Sequence, residues 1–230
     1  MAKKIDNTEE KIHRVEEALS RSEQFFEIHQ KKIFIVLAVI LVIVGGYMGF
    51  KKFYLAPKEV EAEKQMWVAQ RYFAQDSLDL AINGDGNYLG FASIIDEYGM
   101  TQSANLAHYY LGVCYLKKGQ FDKAIENLEK FSSDDQIVGP MATGAIGDCN
   151  MELGKTDKAA EFYVKAADQN KNNFSTPVFL MKAGWAYEEL ANYDKAITVY
   201  ERIKKEHPRS FEAREVEKYI ARAKGLSGKK

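Results

Sequence analysis

The residues of this sequence that could perform chemistry are its histidines and cysteines, which are common metal ligands and nucleophiles in proteins. The histidines are scattered along the chain, at His13, His29, His108 and His207. No histidine or cysteine pair stands at the spacing of a metal site, and the sequence has no glycine-rich phosphate loop and no serine in a nucleophile motif. The sequence therefore predicts a protein without catalytic residues, cofactor or metal.

The glycine-rich segment 83–87 has some features of a calcium-binding loop. If Asn83 and Asp85 took the third and fifth positions, Ala81 and Ala92 would take the first and the twelfth. Calcium loops need a carboxylate at each of those two positions. We therefore predict a simple turn, in which glycine supplies positive φ angles.

The two cysteines, Cys114 and Cys149, stand 35 residues apart, which is one period of the repeat described below. Equivalent positions on stacked helices lie roughly 8 to 10 Å apart, whereas a disulfide needs Cα atoms within about 7 Å. We expect both cysteines to be unpaired residues of the core.

An uncharged apolar run of 18 residues occupies positions 33–50 and bears on whether the chain is attached to a membrane. At roughly 1.5 Å per residue it covers about 27 Å, close to the roughly 30 Å of a bilayer core. A cleaved signal peptide is the alternative, but 32 residues precede the run. The run therefore predicts a retained transmembrane helix.

Two further patterns concern this helix and its leader. Ala38, Gly45 and Gly49 form a small-residue face that would let another transmembrane helix pack closely, although glycine is common in membrane helices in any case. The leader has four apolar residues at helical spacing: Ile12, Val15, Leu19 and Phe26. They predict either a helix exposed to solvent or a helix docked on a partner or on a second copy of the chain.

The balance of charge limits both partners and topology. The formal net charge is −1 and no basic stripe with interleaved aromatics is present, so nucleic-acid binding is not predicted. Near the span the positive charges are tied, and counting the whole leader favours a cytoplasmic leader and a translocated C-terminal domain.

Beyond the span, the chain repeats itself. Asp-Lys-Ala occurs at 122–124, 157–159 and 194–196, and each copy follows a glycine, Gly112, Gly147 or Gly184, at offsets of 35 and 37 residues. Repeats of this length are typical of helical arrays, which present a surface to other chains and usually have no reaction centre.

The repeat resembles the tetratricopeptide repeat, a helix-turn-helix unit of about 34 residues with small and aromatic residues at set places. The first copy supplies Leu111, Gly112, Tyr115, Gly119, Phe121, Ala124 and Leu128; the third supplies Gly184, Tyr187, Tyr193, Ala196, Tyr200 and Pro208. The second copy departs from the pattern at Asn150 and Thr156. The fold class implied is all-α, a transmembrane helix followed by a tetratricopeptide α-solenoid.

This interpretation divides the chain into five segments. A cytoplasmic leader (1–32) and the transmembrane helix (33–50) precede a linker with a degenerate repeat (51–104), in which a long helix is expected over 59–81. Three repeats follow at 105–210. The last segment, 211–230, is expected to contain a helix at 211–224 that caps the stack, and then a polar end.

The plan of the whole chain resembles the YfgM-type proteins of the bacterial inner membrane. The resemblance is carried by residues 24–27, the basic pair before the span, Phe73 with Leu78, and the segment 94–98. It implies a single-pass protein with a periplasmic repeat domain. The partners it implies are SecYEG translocon subunits, a membrane-anchored periplasmic chaperone and emerging secreted polypeptide.

Transferred from the family, the partner-binding groove is lined by the first helix of each repeat: Leu106, Tyr109, Val113, Leu116, Met141, Asp148, Met151, Glu152, Val178, Met181, Trp185, Glu188 and Glu189. It lacks the lysine, arginine and asparagine of a carboxylate clamp, which disfavours an adaptor facing the cytosol. Methionine and aromatic residues favour an apolar helix or extended segment as ligand. Two alternatives remain open: the same residues could pack against the long first helix or the capping helix, and the protein could be an envelope scaffold independent of secretion.

Overall fold

The computed structural model describes residues 28–228, and it divides the chain into two compact units, Met1–Ala56 and Pro57–Lys230. In the first unit, a helix that begins at Ile28 is long and apolar enough to cross a membrane, by length and composition. Its apolar side chains are exposed, and a π-helical turn, Lys51–Leu55, follows the apolar run. The helix predicted within the leader lies outside the described residues.

The second unit contains ten α-helices in the described residues, and the structure therefore confirms the all-α fold class. In chain order they are α1 (Ala56–Ala74), α2 (Leu78–Asn83), α3 (Phe91–Tyr98), α4 (Gln102–Lys117), α5 (Phe121–Lys130), α6 (Val138–Glu152), α7 (Thr156–Gln169), α8 (Thr176–Glu189), α9 (Tyr193–Glu206) and α10 (Val216–Leu226).

Three helix pairs, α4 with α5, α6 with α7 and α8 with α9, form the repeat array. Each pair is joined by a tight turn with one residue in the left-handed region: Gly119 (φ 69°), Gly154 (φ 68°) or Ala191 (φ 54°). The amide of the next residue closes the turn, as when Gln120 donates to the carbonyl of Tyr115 at 2.9 Å. The same turn geometry therefore recurs in all three repeats.

Within each pair the helices approach closely where a glycine faces a bulky side chain. A Cβ atom at Gly147 would lie 2.6 Å from Cε1 of Tyr163, and one at Gly184 would lie 2.0 Å from Cε1 of Tyr200. Leu128 takes the same position opposite Gly112 in the first repeat. The glycines thus make room for the large residue of the second helix.

The expectation of one long helix over 59–81 is wrong, because α1 ends at Ala74. Asp76 adopts a positive φ of 57°, and the amide of Ser77 donates to the carbonyl of Tyr72 at 2.9 Å, which ends the helix. The predicted turn after α2 is confirmed: Gly84 and Gly86 have φ angles of 84° and 88°.

The first helices cover the N-terminal end of the array. Met66 and Ala69 of α1 and Phe91 and Ile94 of α3 share a buried cluster with the inner face of α4. Glu59 also ties α1 to α4, since its carboxylate accepts the amides of Gln102 at 2.7 Å and Ser103 at 2.9 Å. These amides lie at the start of α4, where a helix has unpaired donors.

The expected capping helix at 211–224 is divided in two. A 3₁₀ turn, Glu212–Arg214, precedes α10, whose residues Val216, Ile220 and Ala223 are buried, as the predicted cap required. Phe211, the first residue of the predicted capping helix, lies before the 3₁₀ turn and is 70% exposed.

Candidate protein-binding surface

The first helices of the repeats are α4, α6 and α8, and they position every residue of the predicted groove. On α4, all four predicted residues are half-buried. Leu106 packs against the N-terminal core, while Tyr109, Val113 and Leu116 pack against the core of the first two repeats. The ring of Tyr109 lies 5.4 Å from that of Phe131, and an open cavity of about 740 Å³ beside the start of α4 is lined in part by Leu106 and Phe131.

On α6 and α8 the predicted groove residues differ in accessibility. Met141, Val178 and Trp185 are exposed by 41%, 37% and 46%, respectively. Met151 is half-buried against the C-terminal core, and Met181 is only 5% exposed. The accessible apolar surface of the predicted groove is therefore concentrated at the C-terminal half of the array.

An open cavity of about 350 Å³ lies between α8 and the C-terminal segment. Its walls bring together three of the predicted residues and several that sequence reasoning missed: Val178, Met181, Lys182, Trp185, Phe211, Glu212, Glu215 and Tyr219. The indole of Trp185 contacts the ring of Tyr219 edge-on, with 6.1 Å between centroids. The capping segment thus packs on part of the groove but leaves Trp185 nearly half accessible.

The predicted acidic residue Asp148 is engaged within the chain. Its Oδ1 accepts the hydroxyl of Tyr163 at 2.7 Å, and the Nζ of Lys182 donates to Oδ1 and Oδ2 at 2.7 and 2.9 Å. Burial, followed by the bond to this carboxylate, raises the pKa of Tyr163. The three residues belong to α7, α6 and α8, so the carboxylate links one repeat to the next.

Glu188 makes the same kind of link one repeat later. Its Oε1 accepts the hydroxyl of Tyr200 at 2.8 Å, and Nη2 of Arg222 on α10 lies 2.8 Å from its Oε2. Burial, followed by the bond to Glu188, raises the pKa of Tyr200. We call these two arrangements the tyrosine links; sequence reasoning missed them, although the 37-residue spacing of Tyr163 and Tyr200 was a visible signal.

The cysteines and two of the histidines, which could perform chemistry, are buried or hydrogen-bonded within the fold. Cys114 and Cys149 are unpaired and buried, as predicted, and burial raises the pKa of each thiol to about 12. The Nδ1 atoms of His108 and His207 lie 3.1 and 2.8 Å from asparagine side chains. Among residues 28–228, no cluster of three histidine, cysteine or acidic residues could hold a metal ion.

The small-residue face of the apolar helix is open in the structure. Ala38 and Gly45 are exposed, and a Cβ atom added at Gly45 or Gly49 would meet nothing within 4 Å. The packing of another helix on this face stays a prediction.

Models of the tetratricopeptide repeat match the chain at residues 106–131, 144–173 and 179–210. The chain carries tetratricopeptide repeats. These matches fall on the three helix pairs, and no enzyme family is among them. The repeats are therefore those of a scaffold or adaptor that binds other proteins.

Two groups of known proteins are similar to this chain. Lipopolysaccharide assembly protein B of Escherichia coli K12, and its counterpart in strain O157:H7, are 27% identical over 105 residues, which is 45% of this chain. The match spans only 24% of the length of those relatives. Two crystal structures of a Podosopora anserina protein with nearly identical TPR-like repeats superpose with a TM-score of 0.55. They are 17% identical and cover 73% of this chain and 87% of their own, which shows the fold alone.

Proposed function

We propose that this protein is a membrane-anchored adaptor whose repeat domain binds an apolar segment of a partner protein. The observation that carries the proposal is the cavity of about 350 Å³ in which Val178 and Trp185 remain exposed beside Tyr219. Tryptophan and tyrosine in a partly enclosed apolar pocket are frequent anchors of protein interfaces. A ligand helix could insert one or two apolar side chains there.

The proposed transmembrane anchor would also keep this site close to its partner. A transmembrane helix over 33–50 would confine the domain to one membrane, so that a membrane-bound partner meets it at high effective concentration. We propose a bacterial inner-membrane location with a cytoplasmic leader and a periplasmic repeat domain, supported by the positive charges of the leader and by the resemblance of the whole plan to YfgM-type proteins.

The partner we propose first is the SecYEG translocon, together with a membrane-anchored periplasmic chaperone and emerging secreted chains. The support is the resemblance of the leader, span and first helices to proteins of that system. In this role the adaptor would hold a chaperone, or an apolar stretch of the emerging chain, near the channel exit.

The second candidate is an envelope scaffold that organises outer-membrane or cell-wall machinery. The similarity to lipopolysaccharide assembly protein B, which extends over 105 residues, favours it, because that relative is by name a protein of lipopolysaccharide assembly. The same cavity would then bind a subunit of an assembly complex.

Purification of the tagged full-length protein from its own membranes in mild detergent separates the two candidates. Recovery of channel subunits and a periplasmic chaperone supports the first. Recovery of lipopolysaccharide or cell-wall assembly proteins without them would refute the translocon role.

The periplasmic location is tested by thiol labelling. A single cysteine is placed in the repeat domain of a Cys114→Ala/Cys149→Ala variant, and spheroplasts are treated with an impermeant thiol reagent. If this cysteine is not labelled, the periplasmic location is wrong.

A further inference from the structure

The charged residues of the last two repeats are divided unequally between first and second helices. The first helices, α6 and α8, carry a single cation, Lys182, and four carboxylates: Asp148, Glu152, Glu188 and Glu189. The second helices, α7 and α9, carry six acidic and six basic residues. The helices that present the predicted groove are therefore acidic, although the net charge of the whole chain is only −1.

Two carboxylates of the first helices, Glu152 and Glu189, form no ion pair within residues 28–228. They stand 37 residues apart and are exposed, and Glu189 accepts the hydroxyl of Thr156 at 3.3 Å. Each lies in the last turn of its helix, where the helix dipole disfavours a negative charge. The other two carboxylates are neutralised by the cations of the tyrosine links. The groove therefore keeps a negative charge that the described chain does not balance.

The capping segment adds carboxylates to the wall of the cavity of about 350 Å³: Glu212 and Glu215. Glu215 has a partner, since Nζ of Lys218 lies 2.5 Å from its Oε2. The carboxylate of Glu212 has no hydrogen bond or ion pair with the part of the chain that the structure describes. Lys182 is the one cation among the described wall residues, and a tyrosine link already holds it. The unbalanced charge at this wall is therefore negative.

The cations near the cavity do not reverse this balance. Lys218 and Arg222 are ion-paired within the chain, and both lie over the ring of Tyr219, at 5.0 and 4.9 Å from its centroid. Arg209 and Arg214 are exposed, but neither lines the cavity. A ligand in the cavity thus meets apolar side chains first and a carboxylate at their boundary.

We propose that the partner segment bound in this cavity carries a lysine or arginine one helical turn from the apolar side chain that it inserts. The inference rests on the proposed function and adds the charge of the ligand to it. The apolar side chain would contact Trp185, and the cation, about 5.4 Å along the ligand helix, would pair with Glu212. Glu189 follows Trp185 by four residues on the same face of α8, so it would attract a cation on the other side of the insertion point.

This charge would decide which apolar segments bind. An apolar cavity alone accepts many apolar side chains, whereas a carboxylate at its boundary attracts basic ligands and repels acidic ones. Complementary charge of this kind contributes more to specificity and to the rate of association than to raw affinity. The preference should also weaken as salt is added, because Glu212 and Glu189 are in contact with solvent.

Two synthetic helical peptides serve as probes of this selection. Each has one phenylalanine on an apolar face, and the residues one turn to either side of it are lysine in one probe and glutamate in the other. Binding of each labelled probe to the full-length protein in an uncharged detergent is measured by fluorescence anisotropy. We expect the wild type to bind the lysine probe at least about tenfold more tightly than the glutamate probe, because like charges at an interface are strongly unfavourable.

Reversal of the charge at the cavity wall tests the role of Glu212. Glu212→Lys should reduce the preference for the lysine probe at least about fivefold, since repulsion replaces attraction. Glu212→Gln keeps the size of the side chain and should reduce the preference by a smaller factor. The matched control is Glu97→Lys, which makes the same change in net charge at an exposed residue of α3 outside the cavity. This control should leave the preference unchanged.

Trp185→Ala separates failure of this inference from failure of the proposed function. If Trp185→Ala weakens both probes but the wild type binds them equally, the cavity is the site and the selection of a basic ligand is wrong. If Trp185→Ala changes the binding of neither probe, the cavity is not the site and both proposals are wrong. Equal effects of Glu212→Lys and Glu97→Lys would assign the preference to the net charge of the protein and would overturn the inference alone.

Discussion

At the scale of single residues, the repeat depends on a glycine facing one large side chain. Tyr200 is fully buried, and a Cβ atom at Gly184 would lie 2.0 Å from its Cε1 and 2.4 Å from its Cζ. Because the ring is enclosed, it cannot swing away as an exposed side chain would. Overpacking of this kind costs about 1 to 3 kcal/mol.

We therefore expect Gly184→Ala to lower the free energy of unfolding by about 1 to 3 kcal/mol, measured by urea denaturation. Gly225→Ala is the matched control, since its Cβ would meet nothing within 4 Å in helix α10. That change should be neutral or stabilising by up to about 1 kcal/mol, because alanine favours helix over glycine. Equal effects of the two changes would contradict the role of the Gly184 contact.

The buried thiols predict how stability changes with pH. Burial raises the pKa of Cys114 and Cys149 from 9.0 to about 12, so the folded protein keeps two protons that the unfolded chain releases above pH 9. Stability from these groups is complete below pH 9 and declines between pH 9 and 12. Each thiol should lower the free energy of unfolding by about 1.4 kcal/mol for every pH unit well above pH 9.

Urea denaturation of the wild type and of Cys114→Ala/Cys149→Ala under reducing conditions, at pH 8 and pH 10.5, measures this loss. We expect the wild type to lose more stability between the two pH values than the variant does. An identical decline in both proteins would show that the thiols ionise alike in the folded and unfolded chains.

At the scale of elements, the turns that join each helix pair are equivalent in geometry but not in residue type. Gly119 and Gly154 supply the left-handed residue in two repeats, and Ala191 supplies it in the third at a φ of 54°. This conformation costs a non-glycine residue about 1 to 2 kcal/mol. The third turn therefore stores strain that the other two do not.

Ala191→Gly should raise the free energy of unfolding by about 0.5 to 1 kcal/mol, since relief of strain exceeds the added entropy of the unfolded chain. Gly119→Ala is the reciprocal change and should destabilise by a similar amount. Thermal and urea denaturation of both variants test the pair. Destabilisation by Ala191→Gly would mean that the alanine methyl group contributes packing that outweighs the strain.

The elements also show which features a sequence can predict. The repeat was recognisable because Asp-Lys-Ala recurs after Gly112, Gly147 and Gly184 at offsets of 35 and 37 residues, and the contact that each glycine makes is local to one helix pair. The break at Asp76 was missed because apolar spacing continues across it into α2. Local pattern therefore predicted helix pairs better than it predicted helix ends.

The spacing of the two tyrosines was visible in the sequence, but the partners within the tyrosine links could not be predicted, because each link joins residues from three different helices. Asp148 and Glu188 stand at positions that usually face a ligand, but their cations, Lys182 and Arg222, come from the next helix in the stack. Only the packing of one repeat on another brings these charges together. Met181 illustrates the same limit, since its burial depends on its neighbours in the C-terminal core rather than on its place in the repeat.

At the scale of the whole molecule, the two tyrosine links and the capping helix α10 connect the helices of the C-terminal half of the array through side-chain contacts. Arg222 of α10 contacts Glu188 on α8, while Tyr219 of the same helix packs on Trp185. The cavity that we propose as the ligand site is thus built jointly by the last repeat and its cap. Its shape should depend on α10 remaining docked.

Trp185→Ala should weaken capture of the partner at least about tenfold, because truncation of an aromatic anchor in a pocket commonly costs about 2 kcal/mol or more and about 1.4 kcal/mol is tenfold. The matched control is Leu190→Ala, a similarly exposed apolar residue just after the same helix and outside the cavity. Quantitative recovery of the partner from detergent-solubilised membranes, with circular dichroism to confirm folding, measures both. If Trp185→Ala folds and retains full capture, the cavity is not the binding site; if both variants lose capture equally, the effect is not specific to the cavity. Loss of capture by Trp185→Ala alone would place the ligand between α8 and α10, so the partner would require the last repeat and its cap together.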